Sequence, residues 1–83
     1  MTATPKQRAY YIAMRKIESD LLTWYIHEAD GDMTRAAKLL GIEPRHLYRR
    51  LKHCGVDGDA ICDAALQGLP ADVPPAIIDA ATG

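Results

Sequence analysis

Arg45, His46, Arg49, Arg50, Lys52 and His53 fall within nine residues that contain no acid. On a helix advancing ~100° per residue, with Leu47 set at 0°, Leu51 lies at ~40°, and the pair marks a buried direction. On the same ~100° step Arg45 lies at ~160°, Arg49 at ~200°, Lys52 at ~140°, His53 at ~240° and His46 at ~260°, with Tyr48 and Arg50 on the flanks. Three formal positive charges and two imidazoles therefore share the face opposite the leucines. Glu43 is the nearest acid and stands at the helix start, where the dipole favours it. Clustered cations repel one another until a polyanion neutralises them. Phosphates do this by releasing counterions, and an arginine fork also matches the paired acceptors of guanine in a major groove. The chemistry on offer is recognition of a polyanion.

Other chemistries lack their residues. His27, His46, His53, Cys54 and Cys62 form no Cys-x-x-Cys pair, and His46 and His53 are seven apart on a helix already assigned to the basic face. Cys54 adjoins His53, but neighbouring helical side chains point ~100° apart, too far for a nucleophile and its base. A glycine-rich phosphate loop and a paired carboxylate site are both missing from the sequence. No enzyme, no metal and no cofactor is expected. Two cysteines are too few for a disulfide scaffold, so a reducing cytoplasm is the expected location.

Eighty-three residues are one domain's worth of chain, 48% hydrophobic and 25% charged, the ordinary globular balance. The longest uncharged stretch, Ala64 to Ala71, is far short of the ~20 residues of a membrane span. The start shows no basic-then-apolar leader pattern. The net charge of −1 hides a split: residues 1–55 hold all ten basic side chains and six acids, a net of +4. Residues 56–83 hold five aspartates and neither Lys nor Arg, a net of −5. Such asymmetry predicts a basic binding surface with an acidic appendage.

The elements that position these side chains follow from caps and periodicity. Thr4-Pro5 is a helix entry, and neither Gly nor Pro follows until Gly31, which predicts a long helix over about 5–29. Tyr10, Met14, Ile17, Leu21 and Trp24 recur at spacings of four and three, a heptad-like seam suited to a second copy of the helix. Leu22, Ile26 and Ala29 form a second stripe for the chain's own core. Both stripes could instead close one intramolecular core, and Ser19-Asp20 could start a new helix. Asp32 is placed to cap a short helix over about 33–40 whose Ala36, Ala37 and Leu40 face inward. Gly41 stops it, Ile42 is expected to plug the core, and Pro44 opens a third helix over about 44–53, which exits at Cys54-Gly55. Short helix, glycine turn and second helix is a helix-turn-helix.

Ile17-Glu18-Ser19-Asp20-Leu21-Leu22, then Gly31-Asp32-Met33-Thr34-Arg35-Ala36-Ala37, then Leu40-Gly41-Ile42 and Leu47-Tyr48-Arg49-Arg50-Leu51-Lys52 with Gly55 resemble the Fis-type helix-turn-helix over residues 9–56 without a gap. That fold occurs in the bacterial nucleoid protein Fis and in the C-terminal DNA-binding domains of enhancer-binding activators. The resemblance implies an all-α homodimer: a long N-terminal dimerisation helix followed by a helix-turn-helix. Thr34 and Arg35 would match phosphate contacts, and Arg49, Arg50 and Lys52 the basic residues of the recognition helix. Family members often place Asn-Arg or Ser-Arg where this chain has Glu43-Pro44, so base contacts from those two positions do not carry over.

The expected protein is therefore a homodimer that binds double-stranded DNA, as a transcriptional regulator or nucleoid-associated factor. Base readout falls to Arg45, His46 and Arg49, and phosphate contact to Thr34, Arg35, Tyr48, Arg50 and Lys52. The dimer interface is Tyr10, Met14, Ile17, Leu21 and Trp24. Residues 1–56 form the DNA-binding domain and 57–83 a short acidic, partly helical C-terminal tail. In it Gly58-Asp59 could cap a short helix through Ile61, Cys62, Ala65 and Leu66, a second short segment runs from Pro75 to Ala80, and the alternative is a largely disordered C-terminus. Ile61, Leu66, Leu69, Val73, Ile77 and Ile78 make that tail too apolar for a purely solvated one, and it could engage another regulatory protein. The competing class is a protein-interaction module, a helical dimer binding another protein with little or no affinity for DNA.

Overall fold

A computed structural model describes residues 5–69 and 73–82, all helix and connection, with no strand among them. The helices are α1 (Pro5–Glu28), α2 (Met33–Leu40), α3 (Pro44–His53), α4 (Gly58–Leu66) and α5 (Pro75–Thr82). Thr4, expected to cap α1, lies outside the described residues.

Helix α1 runs unbroken through Ser19-Asp20. Thr23 donates its hydroxyl back to the Ser19 carbonyl at 2.7 Å, and Asp20 accepts from Lys16 Nζ one turn earlier at 2.8 Å, both within the continuous helix. The helix ends where Asp30 and Gly31 take positive φ of 55° and 82°, and the Gly31 amide bonds to the Ile26 carbonyl at 3.0 Å. Asp32 then caps α2, its carboxylate accepting from the Arg35 amide at 3.2 Å. Gly41, at φ 77°, turns the chain out of α2, and the Ile42 amide satisfies the Ala37 carbonyl at 3.0 Å. In α4 the cap is Asp57, one residue before the expected Gly58-Asp59 start, and it accepts from the Asp59 and Ala60 amides.

The core joins Leu22, Ile26 and Ala29 of α1, Met33, Ala36 and Ala37 of α2, and Leu47 and Leu51 of α3, with Leu40, Val56, Ile61 and Cys62 packed around it. Ala36 and Ala37 are fully buried, and their single methyl groups let α2 lie close against its neighbours. Ile42 does not plug this core: it is 36% exposed, because its backbone closes α2 while the turn carries its side chain to the rim.

Helix α1 thus spends one stripe on the core. The other is divided. Tyr10, Met14 and Ile17 are exposed, whereas Leu21 and Trp24 are half-buried within the single chain. Every residue from Lys6 to Ile17 is exposed, so the rest of the described chain covers little of the first half of α1.

Helix α4 packs on α1 and α3, and α5 on α1. Val73, just ahead of α5, is buried outside the core cluster. At Gly31 helix α4 comes close against the turn after α1. A Cβ there would stand 2.7 Å from the Cys62 carbonyl oxygen and 2.9 Å from Leu66 Cγ, whereas one at Gly41 would meet nothing within 4 Å.

Both glycines need their left-handed backbone, but only Gly31 also needs the space. Replacing Gly41 with Ala should cost about 1 kcal/mol, the conformational penalty alone. Gly31→Ala should cost about 2–4 kcal/mol, because α4 must also move. Urea unfolding midpoints of the two variants measure the difference.

Candidate nucleic-acid interface

The reading face is built from inside outward. Leu47 and Leu51 are 0% and 1% exposed, one turn apart, and hold α3 against α1 and α2. Pro44 occupies the first turn of α3, where its missing amide proton costs nothing. Opposite the leucines, Arg45, His46, Arg49, Lys52 and His53 are all exposed, and so is Tyr48 at the edge. Thr34 and Arg35 are exposed on the first turn of α2. The backbone thus gathers these residues onto the helix-turn-helix surface, while Tyr10, Met14, Ile17, Leu21 and Trp24 stay on α1.

Each arginine on this surface has a different environment. Glu43 precedes α3 in extended conformation but makes no side-chain cap. Its carboxylate instead accepts from Arg45 Nε at 2.7 Å, with the two side chains 75% and 60% exposed. A pair so open to water contributes little and exchanges readily for another anion. Arg49 is exposed and has no ion pair among the described residues. Arg35 stands 3.9 Å from Asp30, a loose contact at the limit of an ion pair.

Arg50 is the exception. Its Nε donates to Glu18 Oε1 at 2.5 Å and its Nη2 to Oε2 at 2.6 Å, a bidentate pair across 32 residues that ties α3 to α1. The Arg50 guanidinium holds the Glu18 carboxyl below the usual carboxylate range, against an opposing push from burial; His53 and a hydrogen bond with Cys54 add to the lowering. Burial, reinforced by the Glu18 charge, pushes the Cys54 thiol up. Glu18 escaped sequence reasoning because no local period links residues 18 and 50. The only available signal was an acid on a helix whose preceding charges, Lys6, Arg8, Arg15 and Lys16, are all basic.

Two shallow grooves flank α3. One, of about 480 Å³, lies between Tyr10, Tyr11, Met14, Arg15 and Glu18 of α1 and Arg50 and His53 of α3. The other, of about 420 Å³, runs from Tyr48 and Lys52 to Asp57 and Asp59 at the start of α4. Neither offers metal chemistry, since no group of three or more His, Cys, Asp or Glu among the described residues could hold an ion. No helix among them is long and apolar enough to cross a membrane.

Residues 13–53 match the family model described as bacterial regulatory protein, Fis family. This segment belongs to that family. No curated protein and no solved structure gives a significant match to the chain. The Fis-family segment opens within α1 and closes with the last residue of α3, so it includes both partners of the Glu18–Arg50 pair. The match supports a DNA-binding helix-turn-helix regulator, and α4 and α5 lie beyond the matched segment.

The lowered Glu18 carboxyl sets a pH dependence. A group whose folded pKa lies below its unfolded value adds stability above the unfolded value, about 4.3 for Glu, and loses it as pH falls through the folded one. Urea midpoints recorded from pH 7 to pH 3 should therefore fall more steeply in the native protein than in Glu18→Gln. Parallel curves would show that the pair adds no acid-sensitive stability.

Proposed function

We propose that the chain works as a homodimer that inserts α3 into the major groove of duplex DNA, as a transcriptional regulator or nucleoid-associated factor. The observation that carries this reading is the exposed Arg45–Arg49 face lying directly over the buried Leu47–Leu51 pair. In it Arg45, His46 and Arg49 read base edges, and Thr34, Arg35, Tyr48 and Lys52 contact phosphates. Arg50, grouped with the phosphate contacts on sequence grounds, is set apart because Glu18 already engages two of its nitrogens. Helix α1 supplies the dimer seam through Tyr10, Met14, Ile17, Leu21 and Trp24. Support comes from the exposure of Tyr10, Met14 and Ile17 at 61%, 45% and 47%, on a half-helix that the rest of its own chain leaves open. An isolated helix is marginal in water, and a second copy laid along this side would bury its apolar surface.

A mobility shift with random duplex tests the reading. With six to ten phosphates neutralised by a dimer, affinity should drop by about 10³–10⁵ between 50 and 200 mM salt. Arg49→Ala should cost about 1–3 kcal/mol and relax selectivity at one base position in a selection from a random pool. A uniform loss across all sequences would reassign Arg49 to a phosphate. No shift at low salt would favour the protein-interaction module instead.

The dimer has its own test. Ile17→Asp places a charge in the middle of the seam and away from the core. It should convert a dimeric species to a monomer in sedimentation equilibrium while the helical circular-dichroism signal per residue falls by less than about a third, since α1 retains its core stripe. An unchanged mass would move the interface off α1.

A further inference from the structure

We propose that Glu18 is a positioning residue that commits Arg50 to the body of the protein, strapping the recognition helix α3 to α1 and withholding that arginine from the DNA backbone. The inference deepens the reading above and rests on α3 entering the groove.

Its first support is geometric. A guanidinium has five donors in a fixed planar fork, and a carboxylate meeting two of them edge-on fixes both distance and orientation. The Nε and Nη2 distances of 2.5 and 2.6 Å describe that arrangement, and the partners come from different helices. Direction is the second support. With Leu47 at 0°, Arg50 falls at ~300°, outside the ~140–260° arc that holds the other cations of α3. It leans toward α1 from the start, and Glu18 stands where it arrives. Burial is the third. The Glu18 side chain is 27% exposed and that of Arg50 49%, against 60% and 75% for Glu43 and Arg45. The Glu18–Arg50 pair is the less hydrated of the two, and it spans 32 residues where the other spans two.

The consequence for function follows from where α1 goes. The same helix carries the proposed seam, with Ile17 and Leu21 on either side of Glu18 in sequence. In a dimer the two reading helices must sit about one turn of DNA apart, ~34–36 Å. A strap from α3 to the seam helix adds a directional tie to the non-directional packing of Leu47 and Leu51, and so transmits the dimer's geometry to the reading helix. Arg50 is then worth more as a fixed strut than as one further phosphate ligand.

The experiment measures binding of native protein, Arg50→Gln, Arg50→Lys and Glu18→Gln to two duplexes, one selected from a random pool and one random, across a salt series. The expected result is that Arg50→Gln keeps the native slope of log affinity against log salt, because no phosphate contact has been lost. Its preference for the selected duplex should fall about two- to thirty-fold. Arg50→Lys should lose the same preference, since it keeps the charge but not the fork, and Glu18→Gln should lose it too. Reversing the pair, Glu18→Arg with Arg50→Glu, should restore part of it. A slope shallower by about one per helix in Arg50→Gln marks Arg50 as a phosphate contact and overturns the inference. So does full rescue by Arg50→Lys, or an unaltered preference in all variants. Native protein that binds neither duplex at 50 mM salt overturns the groove-insertion reading and this inference together, whereas the preceding outcomes overturn this inference alone.

Discussion

The orientation of α3 depends on two leucines. Leu47 and Leu51 point the same way, are sealed from water, and meet Leu22 and Ile26 of α1 and the alanine pair of α2. Burying one leucine contributes about 1.5–3 kcal/mol, a large share of the stability a chain this small can hold. The arrangement also decides what stays outside. With the apolar direction fixed, helical geometry leaves Arg45, Arg49 and Lys52 on the far side without a further instruction. Their mutual repulsion is an electrostatic cost accepted in the free protein and relieved by a polyanion. Packing and binding are thus two faces of one short helix.

Helix α1 divides its length as well as its faces. Its second half carries the core stripe, and its first half carries basic and aromatic residues into solvent. Asp20 lies ~160° round the helix from Leu22, yet it is 94% buried and bonded to Lys16 at 2.8 Å. Helix α1 is therefore covered on a side away from the core cluster too. Helix α5 packs on α1, and Val73, buried outside the core, belongs to the same region of chain. Of the heptad seam, the first three residues, Tyr10, Met14 and Ile17, are the exposed ones.

Local rules made most of the fold legible. Asp32 ahead of α2, the glycines after α1, α2 and α3, Pro44 at the start of α3 and the Leu22-Ile26-Ala29 stripe each act within one or two turns. A linear reading therefore finds them. The features it missed are those in which distant segments meet. Gly31 looks like any helix stop, and nothing in its neighbourhood announces that α4 will rest on it. Ile42 follows the usual pattern of an apolar residue after a glycine cap, but the turn leaves it at the rim. Leu21 and Trp24 obey the heptad spacing of the seam, although the chain itself half-covers them. In the candidate site the basic face could be read from the helical period, whereas the partners of its arginines could not. A carboxylate 32 residues away has no periodic signature.

Those two carboxylates show how similar interactions lead to different consequences. Glu43 meets Arg45 through one nitrogen, two residues away, in full contact with water. Such pairs contribute at most about 1 kcal/mol and are screened by salt. A polyanion competes with Glu43 for this face on favourable terms, because counterion release accompanies its binding and not the pairing within the protein. Glu18 meets Arg50 through two nitrogens, partly shielded, between helices already fixed by the core. To take Arg50 away, a phosphate would have to strand the Glu18 carboxylate beside a half-closed groove, with its charge unpaired. Leaving a partly buried ion without its partner costs more than an exposed pair yields. The α3 arginines are thus sorted by their acids: Arg45 is lightly held, Arg49 has no acidic partner among the described residues, and Arg50 is engaged.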